Sequence, residues 1–263
     1  MEACRDLEGQ AGLDDLRARL QAIERLGGVV GGPVAEDGPG VAGLGDPLLD
    51  GGLPWDGLPR GALHEVASAR DGAATGFALA LATRLLAGLG RDRRVVWCQT
   101  AHEARESGLP YGPGLAALGL DWRRLLMVRA RRQIDLLWAM EEALRCPGVG
   151  VVFAEVGDID LRASRRLQLA AESTGTTALL VRMGDAPPQP SAALTRWRVH
   201  MLAATEARPI GIGNSRWTAD LWRCRGGMPQ NWTVEWDEQA LRFVVATPLA
   251  DRSVEPALAA VSA

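Results

Sequence analysis

The stretch Ser68–Leu79, "SARDGAATGFAL", decides how this chain folds. It follows the short apolar run "GALHEVA" (Gly61–Ala67) and leads into "ALALATRLLAGL", an apolar run of helical character. A strand, a small-residue loop and a helix in that order is where a nucleotide-binding protein keeps its phosphate loop. The spacing G-x-x-x-x-G-K-[ST] is absent and the loop has no lysine. Gly72, Thr75 and Gly76 still permit a tight turn at a helix N-terminus, which attracts anions weakly. A charged hydrogen bond of the lysine type contributes about 1.5–3 kcal/mol, so its loss costs about one to two decades in affinity. The expectation is a structural loop that binds no nucleotide.

Outward from the loop, strand and helix patterns alternate. "RRVVWCQ" (Arg93–Gln99), "RLLMVRA" (Arg124–Ala130), "VGVVFAEV" (Val149–Val156) and "TALLVRM" (Thr177–Met183) read as strands. The last two are continuous apolar runs, suited to strands covered on both faces. "QIDLLWAMEEALRC" (Gln133–Cys146) and "SRRLQLAAEST" (Ser164–Thr174) read as helices, with Ser164 near the N-cap of the second. This alternation predicts a mostly parallel sheet flanked by helices, an α/β fold. Beyond "GDAPPQPSAA" the pattern changes to four alternating segments, predicted as closing antiparallel strands, the last two a hairpin over "DEQ". Residues 1–26 hold an amphipathic helix, with Leu13, Leu16, Leu20 and Ile23 at helical spacing. Residues 27–46 read as a Gly/Pro-rich linker, 47–247 as the α/β domain and 248–263 as a loose tail.

Composition narrows the function classes. The 263 residues are 47% apolar, enough for one large domain, and the net charge of −3 does not mark a dedicated nucleic-acid binder. No run approaches the length of a membrane span and the N-terminus lacks an apolar signal core, so a cytoplasmic protein is expected. Cys4, Cys98, Cys146 and Cys224 form no C-x-x-C pair, as expected for reduced, idle thiols. All 29 basic residues are arginine, so no lysine chemistry is open to the chain.

Glu155, at the end of "VVFAE", stands at a Walker-B-like position, with Asp158 and Asp160 following. The plainer expectation is a strand-end carboxylate that meets solvent or caps the next helix. His64, His102 and His200 share no metal-ligand spacing and are read as structural. Arginines cluster at 91–94, 123–132 and 162–166, expected as solvated faces. Arg216, Arg223 and Arg225 interleave with Trp217, Trp222 and Trp232, and phosphate contacts with aromatic stacking are the logic of single-strand binding. For this last cluster, packing and partner or DNA contact stand side by side.

"LLDGGLPWDGLPRGALHEVA" with the loop and helix after it resembles the entry into the RecA ATPase core. "GVVFAEVGDIDLRASRRLQLAAESTGTTALLVR" resembles its Walker-B strand and the strand beyond, and "DLWRCRGGMPQNWTVEW" its closing strands, the likeness running from about Leu48 to Val245. The pairing of "AATGFALALATRL" with "ASRRLQLAAE" and "RCRGG" resembles the ImuA family, RecA/SulA-like proteins encoded with translesion-synthesis genes. That resemblance implies a role in the DNA-damage (SOS) response and induced mutagenesis. The implied partners are ImuB, a Y-family polymerase relative that has lost catalysis, and an error-prone C-family polymerase, with RecA, DNA and self-association as further contacts. It implies a cytoplasmic protein, at the nucleoid when in complex. Ala73 and Ala74 stand about where Gly-Lys would fall, and only Glu103 or Glu106 approximates the RecA catalytic glutamate. Arg223 and Arg225 fall near basic residues that in RecA reach a neighbour's nucleotide. The expectation is therefore a non-catalytic subunit without a cofactor. The rival readings are a weak ATP-dependent recombinase-like enzyme and a SulA-like inhibitor of the division polymer FtsZ.

Overall fold

A computed structural model describes residues 40–69, 72–184, 189–204 and 213–246. The expected N-terminal helix, most of the expected linker and the C-terminal tail lie outside them. The central element is a nine-stranded sheet in the order β11-β10-β9-β8-β3-β7-β6-β4-β5. Its parallel strands are β3 (Leu63–Ser68), β4 (Arg94–Thr100), β5 (Leu125–Ala130), β6 (Val149–Val156), β7 (Thr177–Met183) and β8 (Thr195–Leu202). Three antiparallel strands extend it, β9 (Arg216–Cys224), β10 (Gln230–Asp237) and β11 (Arg242–Val245). This is the α/β fold read from the sequence. Two short strands, β1 (Val41–Ala42) and β2 (Leu58–Pro59), pair separately.

β6 is buried at every residue, the burial its unbroken apolar run requires. On one face of the sheet lies α2 (Ala73–Leu86), reached after a short helix α1 (Pro47–Asp50). α2 is apolar almost all round because it packs on β3, β6, β7 and β8 and shares one core with side chains of the antiparallel strands. Phe77 packs against Trp197, Trp217 and Phe243 at ring-centroid distances of 5.7, 5.7 and 5.2 Å. Arg60 closes the far end of α2, donating from Nε to the carbonyl of Leu85 at 2.8 Å and from Nη2 to that of Ala87 at 2.6 Å.

After α3 (Ala101–Glu106) and α4 (Gly112–Ala117), the helices α5 (Gln133–Leu144) and α6 (Leu161–Thr174) cover the opposite face. Leu136, Met140 and Leu144 meet Leu167 and Ala171 there in a second core. α6 begins earlier than its sequence pattern suggested. Asp160 is its N-cap, accepting from the Ala163 amide at 2.7 Å, and Gly175 closes it with φ 75°. Ser164 is buried inside the helix instead, accepting a hydrogen bond from the Ala192 amide at 3.1 Å.

The expected hairpin is present, with its turn at Glu238–Leu241 and Asp237, expected in the turn, paired with Arg242 on the ladder. Asp237 Oδ1 accepts from the amides of Gln239 and Ala240, both at 2.9 Å. Gly40–Asp46, the last part of the stretch read as linker, belong to the body, with Ala42 and Leu44 buried. Among the described residues, no helix is long and apolar enough to cross a membrane.

His64 is fully buried where β3 meets β8. Its Nε2–H donates to the Pro59 carbonyl at 2.9 Å, and its Nδ1 accepts from the Thr195 hydroxyl at 2.8 Å. That hydroxyl oxygen in turn accepts from Trp197 Nε1 at 3.0 Å. Burial pushes the imidazole pKa down to about 4, partly opposed by its bond to Pro59. The folded protein thus keeps His64 neutral to about pH 4, while the unfolded chain takes up the proton near 6.5. His64's stabilisation is complete above pH 6.5 and falls by up to about 3 kcal/mol on acidification through this window. Urea unfolding across pH 4–7 should show a steeper acid loss for the wild type than for His64→Gln. Parallel profiles for the two proteins would contradict this.

Candidate functional site

β3 ends at Ser68, and Gly72 is the N-cap of α2 with φ 76°, a left-handed conformation that favours glycine. Ser68 bonds back to the start of the helix. Its hydroxyl donates to the Ala69 carbonyl at 2.7 Å and accepts from the Ala74 amide at 3.1 Å. The Gly76 amide already bonds the Gly72 carbonyl at 3.0 Å. An amide that a phosphate would use is therefore satisfied by a neighbouring side chain. Ala73 and Ala74, near the expected lysine position, are wholly buried.

Thr75 Oγ1 donates to Glu155 Oε1 at 3.2 Å, and Gln99 Nε2 donates to Glu155 Oε2 at 2.6 Å. The fold brings the three together because β4 and β6 are neighbours and α2, which begins two residues before Thr75, packs on β6. Glu155 is 3% exposed. It neither meets solvent nor caps a helix, contrary to the sequence expectation, because β6 is buried to its last residue; Asp160 does the capping. Burial raises the Glu155 carboxyl above the usual carboxylate range, and nearby Glu103 adds to the rise. The bonds from Gln99 and Thr75 pull the other way. Glu103 sits in the first turn of α3, and one of its carboxylate oxygens is buried without a partner. Glu106 is exposed at the end of α3.

Gln99 was not singled out in the sequence. Its signal was a lone amide closing the apolar strand "VVWC". A Walker-B carboxylate works through a metal ion and a phosphate. Here the carboxylate is bonded to an amide and a hydroxyl of the chain itself. No group of three or more metal-ligating His, Cys, Asp or Glu residues occurs among the described residues.

The Arg/Trp cluster at the carboxyl end of the chain does not form one site. Trp232 packs towards the α2 side, 5.9 Å from the Trp197 ring and directly over Gly52. Arg216 and Arg223 lie on one strand seven residues apart, about 23 Å at strand rise. Arg225 donates to the Ala192 carbonyl at 3.1 Å. Trp222 is on the opposite side of the sheet from Trp232, stacked with Arg196 at 4.3 Å from guanidinium carbon to ring centroid. Arg196 is buried and donates from Nε to Glu65 Oε2 at 2.7 Å, while Ser191 donates to the other oxygen of Glu65.

A strand, loop and helix without a lysine, a strand-end carboxylate bonded inward and closing antiparallel strands define an α/β protein with a mostly parallel sheet. No family model matches the chain. Over 236 residues it is 38% identical to Protein ImuA of Caulobacter vibrioides, an alignment covering 82% of this chain and 93% of that protein. The Protein ImuA of a second strain of that species gives the same figures. The chain belongs to the ImuA family.

Glu65 and Arg196 are both nearly inaccessible, so removing one partner leaves an uncompensated buried charge. Glu65→Ala should cost about 3–5 kcal/mol in urea unfolding. A loss below about 1 kcal/mol would contradict the pairing.

Proposed function

We propose that this chain is a non-catalytic, RecA-like accessory subunit of a translesion-synthesis assembly, acting in DNA-damage-induced mutagenesis. Its partners in this reading are an ImuB-type inactive Y-family polymerase and an error-prone C-family polymerase, with RecA as a further contact. It works in the cytoplasm and joins the nucleoid with its complex. Membership of the ImuA family supports the mutagenesis role. The observation that carries the non-catalytic part is the closed set of Thr75, Gln99 and Glu155, in a loop without lysine. Both oxygens of the Walker-B-like carboxylate already accept hydrogen bonds from the chain, so nucleotide and metal would have to compete with these bonds for it.

The test is the ultraviolet-induced mutation frequency in a strain lacking this gene, complemented with wild type, Thr75→Ala or Glu155→Gln. Deletion should bring the frequency to the uninduced level and lower survival. All three genes should restore it. An unchanged frequency in the deletion strain would reject the mutagenesis role. Restoration by wild type but not by folded Thr75→Ala would return the protein to the ATPases.

A further inference from the structure

The sheet face opposite α2 is covered by α5 and α6 only over its parallel strands. Over β8 and β9 that face carries Arg196, Arg198, His200, Asp220 and Trp222, and a cavity of about 480 Å³ opens there at the carboxyl ends of β3, β6 and β7. The volume is in the range of a pocket for one small ligand unit. Arg182, buried in its wall, pairs with Asp158, and Arg196 pairs with Glu65. Each of these two arginines is thus matched by a carboxylate. Arg198, which lines the cavity, and Arg223, outside the lining but opposite Arg196 on the ladder, differ. Both are exposed, and neither has an ion-pair partner among the described residues. Asp220 lies across the ladder from Arg198 without forming an ion pair.

A β-bulge arranges the aromatic group. The register of β8 against β9 shifts between Arg196 and Trp197, so Arg196 opposes Arg223 while Trp197 opposes Leu221. The extra residue is Trp222. Trp222 and Arg223, adjacent in sequence, thus both come to the Arg196 side, where burial above all, and to a lesser degree Arg182 and Arg223, disfavour the charge on Arg196. A half-buried indole stiffened by a cation–π contact, flanked by two unpaired guanidiniums, suits a stacked base and its phosphates.

We propose that this cavity binds single-stranded nucleic acid, with a base stacked on Trp222 and the adjoining phosphates held by Arg198 and Arg223. The inference rests on the cavity and not on the mutagenesis role, and the two fail by different measurements. The experiment is fluorescence anisotropy of a labelled oligothymidine with the full chain at several salt concentrations. The variants are Trp222→Ala, Arg198→Glu, Arg223→Glu and, as a control with the same charge change, Arg165→Glu on the exposed face of α6. Each of the first three should weaken binding about tenfold or more, and each arginine change should flatten the salt dependence by about one phosphate contact. Arg165→Glu should bind as the wild type does, and a duplex of matching length should bind more weakly than the single strand. Circular dichroism and melting verify that each variant is folded. No oligothymidine binding by the wild type, equal losses in Arg165→Glu, or tighter binding of the duplex would each overturn the proposal.

Discussion

The packing of α2 is the constraint on which the other parts depend. Its Phe77 ring touches the parallel part of the sheet through Trp197 on β8 and the antiparallel part through Trp217 and Phe243. Burying such a ring contributes about 1.5–3 kcal/mol, and each well-oriented aromatic pair adds about 0.5–1.5 kcal/mol. One side chain therefore ties the parallel sheet to the closing strands. The N-terminus of α2 is the place where a nucleotide site would hold its phosphate. Packing fixes that terminus in position whether or not anything binds there.

The loop before α2 thus keeps its place in the fold without a lysine. The polar groups at the loop are spent on one another. Ser68 takes the Ala74 amide, and Thr75 and Gln99 take the two oxygens of Glu155. A buried carboxylate needs such partners, since leaving it unbonded costs several kcal/mol. The same internal bonds that stabilise the site oppose an incoming phosphate, which would have to compete for these donors without a lysine to favour it.

Much of the architecture was legible from sequence, for identifiable reasons. β6 and β7 are largely apolar, broken only by Glu155 in β6 and by Thr177 and Arg182 in β7, a pattern suited to strands covered on both faces. "DEQ" between two alternating runs marked the hairpin to within two residues of its turn at Glu238–Leu241, because that turn is closed locally by Asp237. Family membership was carried by the loop, the α6 segment and "RCRGG" together. The site was less legible. Gln99 matters through a contact 56 residues away, which no local pattern encodes. Trp222 and Trp232 read as one cluster, yet they occupy opposite faces, and the bulge that sets Trp222 beside Arg223 is a one-residue register shift invisible to a two-residue period. Residues 40–46 read as linker from their glycines, but Ala42 and Leu44 are drawn into the core beside α2.

In the proposed reading the chain's own packing and hydrogen bonds, and not nucleotide, hold the loop before α2. The most direct measurement is the melting temperature of the purified protein with and without millimolar magnesium-ATP. A ligand that binds only the folded state must raise the melting temperature by mass action. The account predicts no shift for the wild type and none for Thr75→Ala. A saturable rise of several degrees in the wild type, absent in Thr75→Ala, would contradict it.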